Sequence, residues 1–397
     1  MRILYSLSHA TDTLASERAG HLLRASALLA ELSRQGHEVL RIEAAGPQGS
    51  AAAVGAYRGV VRRLLPRAAA LKLRDAGRLV MARRSGRRLI AAARAVRPDV
   101  ILETHTSFGL AGQMAAAATG APLVLDDVAP PWEEAEQYGA GLVELAGAIY
   151  RRVIGEASLL VAVAEPIRRH LMQCGVSEQR IIDIENGIDP ALFHAAVDGR
   201  ARRAELGLGG GDVAIVYVGS FQPFHRVPLL LESFARLRDE RLFLILVGEG
   251  RTQSECRAMV AALGIGDRVA FVGRVPYHDV PAFIAAADIA VQPATLDYGD
   301  SMKLREFMAV GRPVIAPRVP AIARHVDHER TGILFEADDP AALAAAIARL
   351  AADPPRRSRL GETAACLAAN HSWAHRAATL AGHMERVCAG SANAAGA

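Results

Sequence analysis

Asp300-Ser-Met-Lys-Leu-Arg-Glu-Phe-Met-Ala-Val-Gly-Arg-Pro-Val-Ile-Ala-Pro317 reads as a capped helix followed by a short buried strand. Ser301 or Asp300 is placed to N-cap the helix. Gly311 can stop it in the left-handed conformation, and Pro313 forbids its continuation. Leu304, Phe307 and Met308 share an inward face, while Lys303 and Glu306, three residues apart, share another near the N-terminus. Free backbone N–H groups, a positive dipole end and a lysine make a seat for phosphate oxygens. A carboxylate one turn on can accept two hydrogen bonds from a ribose diol. Together they would hold a nucleoside diphosphate without a metal ion. The bland alternative is an amphipathic surface helix whose Lys and Glu are merely solvated.

Composition frames this choice. A chain of 397 residues suits two domains of ordinary size. Charged residues make up 22% and apolar ones 51%, which excludes global disorder. A net charge of +4 hints at anionic ligands. No aromatic platform interleaved with basic residues appears, so nucleic acid is not expected as a partner. Cys174, Cys256, Cys366 and Cys388 are scattered without metal-ligand spacing, so neither a zinc site nor a disulfide framework is expected. The opening run Met1–Leu7 reads as a first buried strand and not as a leader. No apolar span reaches membrane length. Reduced thiols and these features give the expectation of a cytoplasmic protein.

Strand-like apolar runs alternate with helical patterns along the whole chain. They fall at Arg2–Leu7, Glu38–Glu43, Val100–Glu103, Pro122–Asp126 and Leu159–Val163, then at Val213–Val218, Leu242–Val247, Val269–Val272, Ile289–Gln292 and Pro313–Ala316. The pattern predicts an α/β chain with two parallel sheets, each covered on both faces. Turn chemistry at Glu185-Asn-Gly-Ile-Asp-Pro190 separates them, and the glycine-ended tract Asp198–Gly211 reads as exposed connection. Ligands of open α/β sheets bind at the carboxyl ends of strands, so a cleft between the two sheets is the expected site.

Several ordered motifs resemble those of the GT-B glycosyltransferases of the family 4 type. They are Leu32-Ser-Arg-Gln-Gly-His-Glu-Val39, Asn186-Gly-Ile-Asp189, the stretch Val218–Phe234, Leu246-Val-Gly-Glu-Gly250, Phe271-Val-Gly-Arg-Val275, Lys303–Ala316, Thr331-Gly-Ile-Leu334, Asp339-Pro-Ala-Ala-Leu343 and His371-Ser-Trp373. The resemblance implies two Rossmann-like parallel-sheet domains facing across a cleft. Residues 1–188 would bind the acceptor and 189–372 the nucleotide sugar, and 373–397 would cross back to the first domain as a helix with a flexible tail. It also implies transfer of a sugar from a nucleoside-diphosphate sugar, UDP- rather than GDP-linked, to a hydroxyl- or amine-bearing acceptor. That acceptor would be a small molecule, a saccharide or a lipid-linked group. Anomeric configuration would be retained, with no cofactor and no metal. The alternative is a catalytically silent GT-B protein that binds sugar nucleotides or a protein partner; an epimerase or phosphorylase ranks third.

By position, the resemblance implies that Glu306 binds the donor ribose. Lys303 and the backbone of Ser301, Met302 and Leu304, with Asp300 alongside, would hold the diphosphate and nearby hydroxyls. Arg274 and Val275 would border the base, and Gly20 and Gly248 would let backbone approach the donor. Three departures from the family stand out. A basic pair on the first donor-domain loop becomes Ser220 and His225, with Arg226 adjoining as a substitute cation for the leaving phosphate. The glutamate eight residues before Glu306 is Tyr298, flanked by Asp297 and Asp300. A histidine after the fourth strand is Val128, beside Asp126 and Asp127.

Candidate catalytic groups are therefore His105, Asp127, Arg226 and Lys303, and Asp126 and Asp127 are candidate acceptor contacts. His371 and His375 stand four apart but have no third ligand nearby, so packing is preferred to metal binding. Glu133, Glu134 and Glu136 read as acidic residues opening a helix. The region 58–97 carries thirteen basic residues against Asp75. Its first reading is solvated arginine over apolar helix. Its second is weak peripheral contact with anionic lipid headgroups. The oligomeric state has no signature in the sequence.

Overall fold

A computed structural model describes residues 1–7, 20–43, 65–127, 130–296 and 298–395. The chain divides into two compact units, Met1–Glu185 with Trp373–Ala397, and Asn186–Ser372.

The first unit is built on a six-stranded parallel sheet of order β2-β1-β3-β4-β5-β6. The strands are β1 (Arg2–Leu7), β2 (Glu38–Glu43), β3 (Val100–Thr104), β4 (Leu123–Asp127), β5 (Leu159–Ala162) and β6 (Ile181–Asp183). Ile3 pairs with Val39 on one side and with Val100 on the other. Every residue of β3, β4 and β5 is buried, as expected of strands covered on both faces. Leu22, Ala25, Leu28, Leu29 and Leu32 form the buried stripe of the Gly20–Arg34 helix, which packs on the Trp373–Ala395 helix. Gly36, at φ 89°, ends the first of these helices. Its N–H donates to Ser33, and that of His37 donates to Leu32, which explains the glycine in that motif.

The second unit repeats the plan with the order β12-β11-β10-β7-β8-β9. Its strands are β7 (Val213–Val218), β8 (Leu242–Val247), β9 (Val269–Gly273), β10 (Ile289–Val291), β11 (Val314–Pro317) and β12 (Gly332–Phe335). Alternation along β7 sends Val213, Ile215 and Tyr217 into one apolar cluster and Ala214 and Val216 into another. Phe234, Val260 and Ile347 cover the first face, and Phe283, Leu304 and Phe307 the second. Each such fully buried side chain contributes about 1.5–3 kcal/mol.

Two elements depart from the reading of the sequence. The tract 198–211 is not open connection: Arg200–Glu205 is a helix. A Cβ on Gly199 would lie 2.2 Å from the Ala286 nitrogen, and Arg203 donates to the Ala286 carbonyl and to Asp288. Short β6 and β12 were not anticipated as strands; three and four residues carry too little periodicity to declare themselves. Among the described residues, no helix is long and apolar enough to cross a membrane.

Candidate functional site

In the second sheet the chain runs β7, β8, β9 to one side and then returns to β10 on the other side of β7. The loops after β7 and β10 therefore diverge, which opens a crevice at their carboxyl ends. Glycine shapes it. Gly219 has φ 149° and Gly248 has φ 125°. A Cβ on Gly248 would sit 2.0 Å from the Gly219 carbonyl oxygen, and one on Gly219 would sit 2.6 Å from Lys303 Nζ. Backbone thus lies against backbone, and the lysine lies against bare chain.

Lys303 comes from the Met302–Ala309 helix. Its Nζ has no exposure and no hydrogen-bond partner among the described residues. It faces the ring of Tyr217, 5.1 Å from the centroid. Burial lowers its pKa from 10.5 to about 8, against an opposing pull from Glu306. Holding that charge costs on the order of 3 kcal/mol relative to water, and an anionic ligand would offset the cost. One turn on, the buried Glu306 carboxylate accepts a 2.7 Å hydrogen bond from Tyr277 Oη. Burial raises its pKa from 4.5 to about 7, against Tyr277 and Lys303. Tyr277 was invisible to the sequence reading because it lies 29 residues from its partner. Leu304, Phe307 and Met308 are buried as expected, but so are Arg305, Glu306 and Ala309. The helix is enclosed, which disposes of the surface-helix alternative.

The start of this helix differs from the expected cap. Ser301 occupies the N-cap position, but its hydroxyl donates to Gln292 Oε1 at 2.8 Å. Asp300 does not cap either, and it corrects the expectation that this carboxylate faces the donor. Its side chain is fully buried and accepts from Arg305 Nη1 at 2.7 Å on both oxygens and from the Asn186 backbone at 2.6 Å. His325 stands 3.0 Å away. Burial works to raise its pKa, but Arg305 and His325 together hold it well below the usual range. A buried guanidinium outbids backbone N–H groups for a carboxylate. The first N–H groups of the helix are left without a side-chain cap.

The loop after β7 supplies Ser220 and His225, and a correction for Arg226. Arg226 takes a left-handed conformation at φ 50°, and its half-exposed guanidinium pairs with Asp338 at 3.2 Å. Its partner is thus Asp338 and not the Lys303 side of the loop; the imidazole that feels the lysine is His225. Burial first, then Lys303, lower the His225 pKa to about 3, so the ring is neutral. Its Nδ1 donates to the Ser220 carbonyl at 2.6 Å. Arg274, exposed, and Val275, half-buried against the core, follow β9 directly. Met302 is half-buried, and the side chain of Leu304 is wholly internal, leaving its backbone for any ligand. Tyr298 lies in the loop after β10, and Asp297 falls outside the described residues.

The first unit treats its polar residues differently. Adjacent residues on a strand point to opposite faces, so Asp126 and Asp127 do not act together. Asp126 is taken by the buried Arg24, through bonds of 2.9–3.2 Å, while Arg24 also donates to the Ile184 carbonyl at 2.7 Å. This corrects the expectation of Asp126 as an acceptor contact. Asp127 is fully buried; Tyr150 Oη donates to its Oδ2 at 2.6 Å, and Oδ1 has no partner among the described residues. Burial raises its pKa from 3.8 to about 7, opposed by the Tyr150 bond. The His105 ring meets Tyr150 edge-on at 5.0 Å, with Trp132 and His170 packed on the same tyrosine. The structure thus joins His105 to Asp127 through Tyr150. Gly20 opens its helix at an exposed position. Val128, the Glu134 side chain and the basic residues Arg58, Arg62 and Arg63 fall outside the described residues. No cluster of three metal-ligating side chains occurs among the described residues.

Comparison with known proteins gives the lineage. The model described as Glycosyltransferase Family 4 matches residues 24–192, and that described as Glycosyl transferases group 1 matches 212–353. A D-inositol 3-phosphate glycosyltransferase of Nocardia farcinica is 33% identical over 239 residues, 57% of this chain and 52% of that one. The chain spans about half the length of the curated relatives it matches. Anabaena Alr3699/HepE, solved in complex with UDP-glucose, superposes with a TM-score of 0.74 at 20% identity, over 97% of this chain and 100% of that one. Sucrose-phosphate synthase from Thermosynechococcus elongatus gives 0.79 at 20% identity, over 98% and 100%. At that identity the two structures speak for the fold. With two parallel-sheet units of this topology and two family matches following one another along it, the chain belongs to the GT-B, family 4-like glycosyltransferases.

Proposed function

We propose that this protein transfers a sugar from a nucleoside-diphosphate sugar, UDP-linked in preference to GDP-linked, to a hydroxyl- or amine-bearing acceptor. The observation that carries the reading is the Lys303 ammonium, buried without a hydrogen-bond partner among the described residues, on the first turn of a helix without a side-chain cap and three residues from Glu306. Two phosphate groups would satisfy the ammonium and the helix N–H groups together. The ribose diol would meet Glu306, already oriented by Tyr277. The UDP and UDP-glucose complexes of a structural neighbour support uridine. The names of the curated relatives support a phosphorylated polyol among the acceptors to be tried.

In this reading Lys303 and the helix N–H groups stabilise the charge that develops on the leaving diphosphate, in the role a divalent cation plays elsewhere. The proposal is therefore a metal-independent enzyme. Attack on the face that the diphosphate leaves, with a phosphate oxygen taking the acceptor proton, retains the anomeric configuration and needs no carboxylate base. On the acceptor side Asp127, with its raised pKa and one oxygen unpaired among the described residues, is the proposed contact for a hydroxyl or amine. A second reading, a sugar-nucleotide binder without turnover, draws on one observation: the β7 loop offers a neutral His225 where a cation would help the diphosphate leave.

The test is a screen of UDP- and GDP-sugars with polyols, polyol phosphates and amines, read by released nucleotide with EDTA present throughout. Acceptor-dependent release, with the product anomer matching the donor by NMR, is the expected result. Saturable UDP binding without release would select the second reading, and no binding of any sugar nucleotide would refute both.

A further inference from the structure

We infer that the outward face of the Arg67–Val96 helix is a docking surface for an anionic lipid bilayer. This helix carries nine basic residues and one acidic residue. The acid is not on the surface. Asp75 is fully buried, accepting from the Gly141 and Leu142 backbones at 2.7 and 3.1 Å and from Arg74 at 2.8 Å. The inward stripe is completed by Ala82, Ser85, Gly86, Leu89 and Ala93. Gly86 lies so close to the neighbouring helix that a Cβ there would come 2.4 Å from the Met114 sulfur.

The opposite stripe has two parts. Toward the N-terminus it exposes Leu73 and Val80, at 44% and 49%, with Leu65 at 40% just ahead of the helix. A spacing of seven residues keeps Leu73 and Val80 on one side of the helix. Toward the C-terminus the same side exposes Arg83, Arg84, Arg87 and Arg94. None of these four arginines has an ion pair or hydrogen bond among the described residues, and neither do Arg67 and Lys72. Elsewhere many exposed arginines of this chain pair with a nearby carboxylate, as Arg152, Arg169, Arg200, Arg236 and Arg241 do.

Unpaired cations and exposed branched aliphatics on one face match a surface that is anionic outside and apolar beneath. A nucleic acid or acidic protein would use the arginines but gain little from Leu73 and Val80. The bilayer is therefore the favoured occupant. The contact is reversible, since two or three aliphatic side chains insert little area and the cations do most of the holding. Each cation near an anionic leaflet multiplies partitioning about fivefold.

The test is flotation with vesicles of phosphatidylcholine alone or with 30% phosphatidylglycerol. The variants are Arg83→Ser/Arg84→Ser/Arg87→Ser and, separately, Leu73→Ser/Val80→Ser, with the melting midpoint as the control for folding. Wild-type protein should float only with anionic vesicles and lose at least tenfold in partitioning between 50 mM and 500 mM salt. The triple variant should lose about 100-fold, and the double variant several-fold. Failure to float with anionic vesicles, or flotation that survives the triple variant, would overturn the inference. So would unchanged flotation of the double variant, or heparin binding that matches vesicle binding in all three proteins, because either result describes a generic polyanion site. None of these outcomes depends on whether the second unit binds a sugar nucleotide.

Discussion

The two units are built on the same plan and handle buried charge in opposite ways. In the first, Arg24 is enclosed and its fork is filled by Asp126 and the Ile184 carbonyl. In the second, Lys303 is enclosed against bare glycine and an aromatic face, without a hydrogen-bond partner among the described residues. Both cations lie near the carboxyl ends of parallel strands. One closes a structural circuit and the other leaves it open to a ligand. The difference teaches that topology locates a possible site, and that the state of its polar groups decides whether the site is used.

The largest effect expected tests this contrast directly. Arg24→Met removes a buried cation whose partner then remains charged and alone, so it should destabilise the protein by about 3–5 kcal/mol. Lys303→Met removes a buried cation without a hydrogen-bond partner among the described residues and should stabilise by about 1 kcal/mol. Denaturant unfolding of the two variants, side by side, reads the opposite signs; a loss of stability in both would erase the comparison. Next, the same Lys303→Met should lower kcat/KM for the sugar nucleotide by about 100-fold or more, by analogy with loss of an oxyanion donor. A stable, fully active variant would move the diphosphate elsewhere.

Asp127 sharpens the contrast from the other side, as one carboxyl of the first unit that is only half paired. Its pKa is about 7 in the folded protein against an ordinary 3.8. The folded state therefore keeps a proton that the unfolded state has released. The associated stability is full below about pH 4 and is lost as pH rises through 7. Asp127→Asn should flatten that decline and gain about 2 kcal/mol at pH 8, measured by unfolding across pH 4–8. The smallest effect concerns Tyr277. Tyr277→Phe should raise the donor KM about fivefold, close to the loss of one ordinary hydrogen bond, with kcat nearly unchanged. An equal fall in kcat would give the tyrosine a role beyond orienting Glu306.

The scaffold was largely legible because continuous apolar runs such as Val213–Val218 and Leu242–Val247 have few alternatives to buried parallel strands. Lys303 and Glu306 were legible because helical spacing is local. What escaped was non-local. Arg24 meets Asp126 across 102 residues, and Asn186 meets Asp300 across 114. Side-chain direction also escaped, as in Ser301 turning to Gln292 and Arg226 turning to Asp338. The opposition of Asp126 and Asp127 was available from strand alternation alone, once β4 was known to extend through both.

The ammonium on bare glycine has a practical corollary for anyone handling the protein. If Lys303 seats the diphosphate as proposed, a pocket that stabilises charge so poorly on its own should also recruit small oxyanions from the medium. In phosphate or sulfate buffer, a titration with sugar nucleotide becomes a displacement, and the apparent dissociation constant climbs in proportion to the competitor. The same appetite makes inorganic pyrophosphate a useful probe: added alone, it should raise the melting midpoint of the wild type and leave Lys303→Met where it was.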